Sequence, residues 1–140
     1  MSGAASRLAQ AFERRILLMD GAMGTMIQAR DLSAQDFGGL ELEGCNEHLN
    51  LTRPDVIRAI HDAYLDAGAD CISTNTFGCA PYVIAEYGLR DRCHDITLAA
   101  GPATPLQGPE GERWLLGSRR SHGGRDYRRS ASLRVSAPLS

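Results

Sequence analysis

Apolar positions along the chain predict helices and strands in alternation. Leu8, Ala11 and Phe12 recur at helical spacing among the polar residues of Ser6 to Arg15, which predicts a short amphipathic helix. Ile16-Leu17-Leu18-Met19 follows as an unbroken apolar run of strand length, bounded by Arg14-Arg15 and by Asp20-Gly21. A strand covered on both faces, as in a parallel sheet, has this pattern, so a first strand is expected there.

Beyond the polar stretch from Asp31 to Asn50, the segment NLTRPDVIRAIHDAYLDAGAD carries the clearest helix signal in the chain. Thr52 suits the N-cap, Pro54 the first turn, Asp55 the positive end of the helix dipole, and Gly68 the stop. Val56, Ile57, Ile60, Tyr64 and Ala67 form one apolar face, which assigns Arg58, His61, Asp62 and Asp66 to solvent. Asp70 to Asn75, with its β-branched residues, reads as a second strand whose Cys71 belongs to the core. Two weaker helices are expected from Pro81 to Glu86, ending at Gly88, and from Asp91 to Ala100.

Strand, loop, helix, strand is a βαβ unit, and its crossover makes the two strands parallel. Their C-terminal ends then share one edge, where α/β folds place their sites. Asp20-Gly21 follows the first strand and Asn75-Thr76-Phe77-Gly78 the second, so both polar clusters are expected on that edge.

Composition divides the chain in two. Residues 1–100 hold 8 Arg and 14 acidic residues, a net of −6, whereas residues 101–140 hold 7 Arg and 3 acidic residues, a net of +4. The second part also carries six Gly, four Pro and six Ser, a composition that buries little core. A domain over 1–100 followed by an Arg/Ser/Gly/Pro-rich tail over 101–140 is therefore expected. No apolar run approaches the ~20 residues that span a bilayer, and MSGAASRLAQAFERR lacks the apolar core of a signal peptide, so a cytoplasmic chain without a membrane partner is expected. In that compartment Cys45, Cys71, Cys79 and Cys93 are expected as free thiols.

Several clusters suit chemistry. Glycines after a buried strand let the backbone turn sharply and bring N–H groups close to a carboxylate or phosphate, while Asp20 accepts hydrogen bonds from an ammonium group. An amino acid carries both features; local spacing alone favours a plain tight turn. The loop has no G-K-[ST], which argues against a nucleotide P-loop. The stretch S-T-N-T-F-G either binds polar ligand groups or caps the next helix. A zinc site from Cys45/His48 and Cys93-His94 is disfavoured, because adjacent helical residues point in different directions and a second tight pair is missing.

Taken together, LLMDGAMGTMIQ, GCNEHLNLTRPDVIRAIHDAYLDAGAD and ISTNTFG, in this order, resemble the start of the homocysteine-binding domain of cobalamin-dependent methionine synthase. Related homocysteine S-methyltransferases share the D-G-x-x-G-T and T-N-T-F elements, and the resemblance covers about residues 14–100. It implies an α/β fold, a (β/α)8 TIM barrel with homocysteine at the C-terminal ends of its strands. It also implies that Asp20, Gly21, Gly24 and Thr25 in the first loop, with Asn75, Thr76 and Phe77 in the second, hold the amino-acid end of homocysteine. In the family, zinc bound by three cysteines takes the homocysteine sulfur as a thiolate, which attacks the methyl group of methylcobalamin to give methionine.

The departures from the family pattern shape the remaining expectations. The family's zinc cysteines include a Cys-Cys pair on later strands, and none of the four cysteines here matches such a position. Neither zinc nor cobalamin is therefore expected to bind this chain, and no catalytic residue or metal ligand is assigned. A complete barrel needs about 250 residues, so the chain reads as its first βα units, with RWLLGS around Trp114-Leu115-Leu116 resembling the next strand. The rest of 101–140 reads either as an out-of-frame tail or as a natural basic extension; with only Trp114 and Tyr127 as aromatics, nucleic-acid binding is not expected of it. Alone, such a fragment is expected to be inactive and to self-associate through exposed sheet edges. A noncatalytic amino-acid or small-anion binding module, or a purely structural fragment, are the alternatives.

Overall fold

The computed structural model describes residues 3–101 and 114–116, with side chains described for residues 8–101. Helix α1 (Gly3–Arg14) leads into an extended segment, followed by α2 (Met23–Gln28), α3 (Ala34–Phe37), two 3-10 turns, α4 (Leu49–Thr52) and the long α5 (Pro54–Asp66). Strand β1 (Cys71–Ser73), α6 (Pro81–Ile84), two further 3-10 turns, α7 (Cys93–Ala100) and β2 (Trp114–Leu116) complete the order. The expected third strand is thus present as β2. The rest of the expected tail lies outside the described residues, apart from Gly101.

Strand β1 is the centre of the small sheet. It pairs in parallel with β2, Cys71 opposite Trp114 and Ser73 opposite Leu116. On its other side Met19 forms a parallel bridge with Cys71. Leu18 O accepts from Asp70 N and Cys71 N at 2.8 and 3.0 Å, and Asp20 N donates to Cys71 O at 2.9 Å. Asp70 secures the start of this pairing, its carboxylate taking both Arg15 guanidinium nitrogens at 2.7 Å and Leu18 N at 2.9 Å. The parallel direction expected from the βαβ order is therefore observed.

The expected first strand is corrected in one respect. Ile16–Met19 makes a single bridge and is not covered on both faces, for Ile16, Leu18 and Met19 are 86%, 57% and 56% exposed. A strand is buried only where layers lie above and below it. Here α1 supplies one partial layer, in which Leu8 and Ala11 pack with Cys71 and Leu17. Phe12, expected on the inner face of α1, also stands in solvent.

Helix α5 carries two corrections. Thr52 does not cap it: Thr52 ends α4, and its hydroxyl donates back to His48 O at 3.3 Å. The N-cap position falls to Arg53, whose guanidinium pairs with Asp55 at 2.8 Å and also with Asp36. Pro54 occupies the first turn as expected, and Gly68, at φ +104°, takes the left-handed conformation that ends the helix. The second correction is His61, expected in solvent and found fully buried. The buried stripe runs through Val56, Ile57, Ile60, His61 and Leu65, while Ala67 is exposed. Treating His61 as polar displaced the stripe toward Ala67; a histidine whose ring nitrogen finds a carbonyl is readily buried.

Two cores position the strand edge. One joins Ile27, Phe37, Leu49, Val56, Ile57 and Ile60 between α2, α3, α4 and α5. The other joins Cys45, Cys79, Ile84, Leu89, Cys93 and Ile96 around α6 and α7. Each fully buried Leu or Ile contributes about 1.5–3 kcal/mol. Among the described residues, no helix is long and apolar enough to cross a membrane.

Candidate functional site

The edge beyond Met19 and Ser73 gathers the two loops. Asp20 is anchored by its own N–H on Cys71 O, and its Oδ2 accepts from Ser73 N at 2.9 Å. Its other carboxylate oxygen has no hydrogen-bond partner among the described residues. Gly21 lies against α5: a Cβ there would stand 3.1 Å from the Tyr64 hydroxyl, which donates to Ala22 O at 2.9 Å. Tyr64 therefore fixes the turn from below. Helix α2 then begins at Met23 with no side-chain cap, and Thr25 is exposed in its first turn. Gly24 is less constrained, since a Cβ would meet only Asn46 Nδ2 at 3.8 Å.

In the second loop the expected residues separate by environment. Asn75 is buried, and its Nδ2 donates to Asn46 O at 2.8 Å and to Asn50 Oδ1 at 3.0 Å. Asn50 Nδ2 returns a bond to Asn75 O at 2.8 Å. The Asn75 amide is thus engaged within the protein. Thr76 is also buried, its hydroxyl 2.8 Å from that of Thr74, whereas Phe77 is completely exposed. Gly78 N donates to Glu47 Oε1 at 2.7 Å, and a Cβ on Gly78 would lie only 2.6 Å from that oxygen.

The sequence motifs give no site role to Asn46, Glu47, Asn50, His61 or Tyr64, yet the side chains of Glu47, Asn50, His61 and Tyr64 and the main-chain carbonyl of Asn46 hold the two loops. The available signal was the polar run CNEHLN between two apolar segments, with Cys45, His48, Leu49 and Asn50 all buried. Such a run has no helical or strand period, because each polar atom answers a partner distant in sequence.

Cys45, Cys79 and Cys93 share the second core, and Cys93 Sγ donates to Cys79 O at 2.6 Å. Burial pushes the Cys79 thiol up to about 12 and raises those of Cys45 and Cys71, which keeps them protonated at neutral pH. His48 Nδ1 is 2.7 Å from Phe37 O, and Cys93 is buried while His94 is largely exposed. Among the described residues no three His, Cys, Asp or Glu side chains are grouped to hold a metal ion, so these residues do not fit the zinc that the family resemblance implies.

Comparison with known proteins identifies the family. A family model described as homocysteine S-methyltransferase matches residues 17–104. Methionine synthase of Mycobacterium tuberculosis is 46% identical over 116 residues, which cover 79% of this chain and 10% of that protein. Methionine synthase of Mycobacterium leprae is 43% identical over 116 residues, with the same shares of 79% and 10%. The chain thus spans about a tenth of the length of these curated relatives. The family match begins at the segment before Asp20 and runs through both loops and α7, and on that ground the chain belongs to the homocysteine S-methyltransferase family.

Proposed function

We propose that this chain carries the amino-acid-binding half of a homocysteine S-methyltransferase site, mounted on the first βα units of a (β/α)8 barrel. The observation that carries the reading is Asp20: one carboxylate oxygen is held by Ser73 N, and the other has no hydrogen-bond partner among the described residues. That oxygen accepts the α-ammonium group, in a charge-assisted hydrogen bond worth about twice a neutral one. Gly21 and Gly24 let main-chain amides of the first loop reach the α-carboxylate, with Thr25 beside them. Thr76 lines the second loop, and Phe77 covers the aliphatic part of the ligand. Asn75 contributes by holding that loop, since its amide is engaged by Asn46 and Asn50.

Methyl transfer also needs the homocysteine sulfur as a thiolate, and burial holds the Cys45, Cys71 and Cys79 thiols in the protonated form. The role proposed for this chain's own residues is therefore to bind and orient the amino acid, and the chain alone is inactive. Titration calorimetry with homocysteine, and separately with phosphate, tests this. Homocysteine binding that disappears in Asp20→Asn is expected; binding of phosphate alone supports a small-anion module instead, and methyl transfer by the isolated chain refutes its inactivity.

A second reading, association through the open sheet edge, is favoured by the exposure of Ile16, Leu18 and Met19. Sedimentation across a concentration series checks it, with a shift toward dimer or larger species expected and loss of the shift expected in Ile16→Lys.

A further inference from the structure

One fully buried polar group beneath the candidate site has no part in the ligand contacts proposed above. His61 lies on α5 with its Nε2 3.1 Å from Ser73 O. A carbonyl oxygen only accepts, so Nε2 carries the proton and donates. The N–H of the same serine donates to Asp20 Oδ2 at 2.9 Å. Both polar main-chain groups of Ser73 are thus engaged by side chains, the N–H by the first loop and the carbonyl by α5. Ser73 ends β1, where the strand gives way to the second loop.

From this chain of contacts we infer that His61 is a positioning residue for Asp20: acting through Ser73, it sets the strand end against which the ammonium-accepting carboxylate is held. The inference rests on the reading of Asp20 as that acceptor. A buried imidazole suits the task because its ring is rigid and its donor is directed. Burial lowers the basicity of His61 while the nearby Asp20 charge opposes that effect. An apolar side chain of similar size would fill the same space but leave the partly buried Ser73 O without this donor, and an unpaired carbonyl draws the backbone toward another partner. Glutamine, whose amide nitrogen extends about as far as Nε2, retains the donor.

The test uses the full chain with His61→Leu and His61→Gln, read by amide hydrogen exchange and by homocysteine titration. The Ser73 amide should exchange at least about tenfold faster in His61→Leu while the amides of Ile57 and Ile60 keep their protection, since local opening is separable from global unfolding. Homocysteine affinity should fall about tenfold or more in the same variant, while His61→Gln stays within about threefold of wild type on both readouts. Unchanged Ser73 exchange in His61→Leu overturns the inference, as does equal loss in both variants across all α5 amides. A wild-type chain that ignores homocysteine yet shows the expected exchange pattern refutes the substrate reading and supports the coupling of His61 to Asp20. Should His61→Leu fail to fold, the imidazole nitrogen shifts decide: a proton on Nε2 whose signal moves in Asp20→Asn supports the inference, and a proton on Nδ1 overturns it.

Discussion

Ile16-Leu17-Leu18-Met19 and Cys71-Ile72-Ser73 are neighbouring parallel segments, and the more apolar of the two is the less buried. Ile72 is completely inaccessible and Cys71 nearly so, whereas Ile16 is 86% exposed. The difference lies in the neighbours. β1 has Met19 on one side, β2 on the other, and Leu65 of α5 packed on Ile72. The first segment has β1 on one side only, and the outward main-chain groups of Leu17 and Met19 hydrogen-bond to no described residue. Hydropathy states what a segment tolerates; partners decide what it buries.

The sharpest way to break this comparison is to truncate one residue from each segment. Ile72→Ala should destabilise the chain by about 2–5 kcal/mol, the usual cost of a cavity in a packed core. Ile16→Ala should change stability by about 0.5 kcal/mol or less, as expected for a surface position. Urea unfolding of both variants checks the pair. Equal losses would mean that Ile16 is covered in solution, which self-association through that edge would explain.

The same contrast shows what was legible in the sequence. Helix α5, its Pro54 start and its Gly68 stop follow from local chemistry, because three turns of apolar spacing and a φ +104° terminus depend on few distant contacts. The parallel direction of the first segment and β1 was likewise readable from the βαβ pattern, whereas β2 was expected only from the likeness of RWLLGS to the family's next strand. The state of the first segment was not, since its coverage depends on residues far along the chain. His61 was misplaced for a related reason: its partner, Ser73 O, lies on another element. Asp20 and the glycines of the first loop were visible as a motif. The side chains that hold the loops, Tyr64 at the first and Glu47 at the second, act through single long-range hydrogen bonds that leave no periodic trace.

A second comparison sets the two loop glycines against each other. At Gly78 an added Cβ would meet the Glu47 carboxylate at 2.6 Å and crowd the atom that accepts Gly78 N. Gly78→Ala should therefore cost about 1–3 kcal/mol, in the range of overpacked sites. At Gly21 the nearest atom is the Tyr64 hydroxyl at 3.1 Å, the end of a side chain able to shift by a few tenths of an ångström. Gly21→Ala should cost less in melting temperature than Gly78→Ala. The reverse order would show that Tyr64 holds the first loop more rigidly than Glu47 holds the second.

Acidification distinguishes the buried strand end from the surface. His61 has its basicity lowered below the usual 6.5, chiefly by burial and against the pull of Asp20. The unfolded chain then binds the proton more readily, so this contribution is complete above pH 6.5 and is lost as pH falls through the lower folded value. Asp36 and Asp55 are also held below their usual range, the first mainly by Ser33 and the second mainly by Arg53. Their contribution remains until pH falls below about 4, near the usual Asp value. Urea midpoints at pH 7.5, 6.5 and 5.5 should decline in wild type and stay flatter in His61→Gln. A slope that persists in His61→Gln would assign the titration to another group.

The smallest effect concerns helix starts. Thr52, which local sequence favours as the cap of α5, is spent on His48 O within α4, so Thr52→Ala should alter stability by about 0.5 kcal/mol or less. Ser33 makes a reciprocal cap with Asp36 at α3, in which the Ser33 N–H donates to the Asp36 carboxylate at 2.9 Å and its hydroxyl donates at 2.8 Å. Asp36 also pairs with Arg53, which ties that cap to the start of α5. Ser33→Ala should therefore cost about 1 kcal/mol, typical of a lost N-cap. Thermal melts of the two variants side by side give the order. A larger loss for Thr52→Ala would mean that α5 is capped by Thr52 after all and that α4 is the less persistent of the two helices.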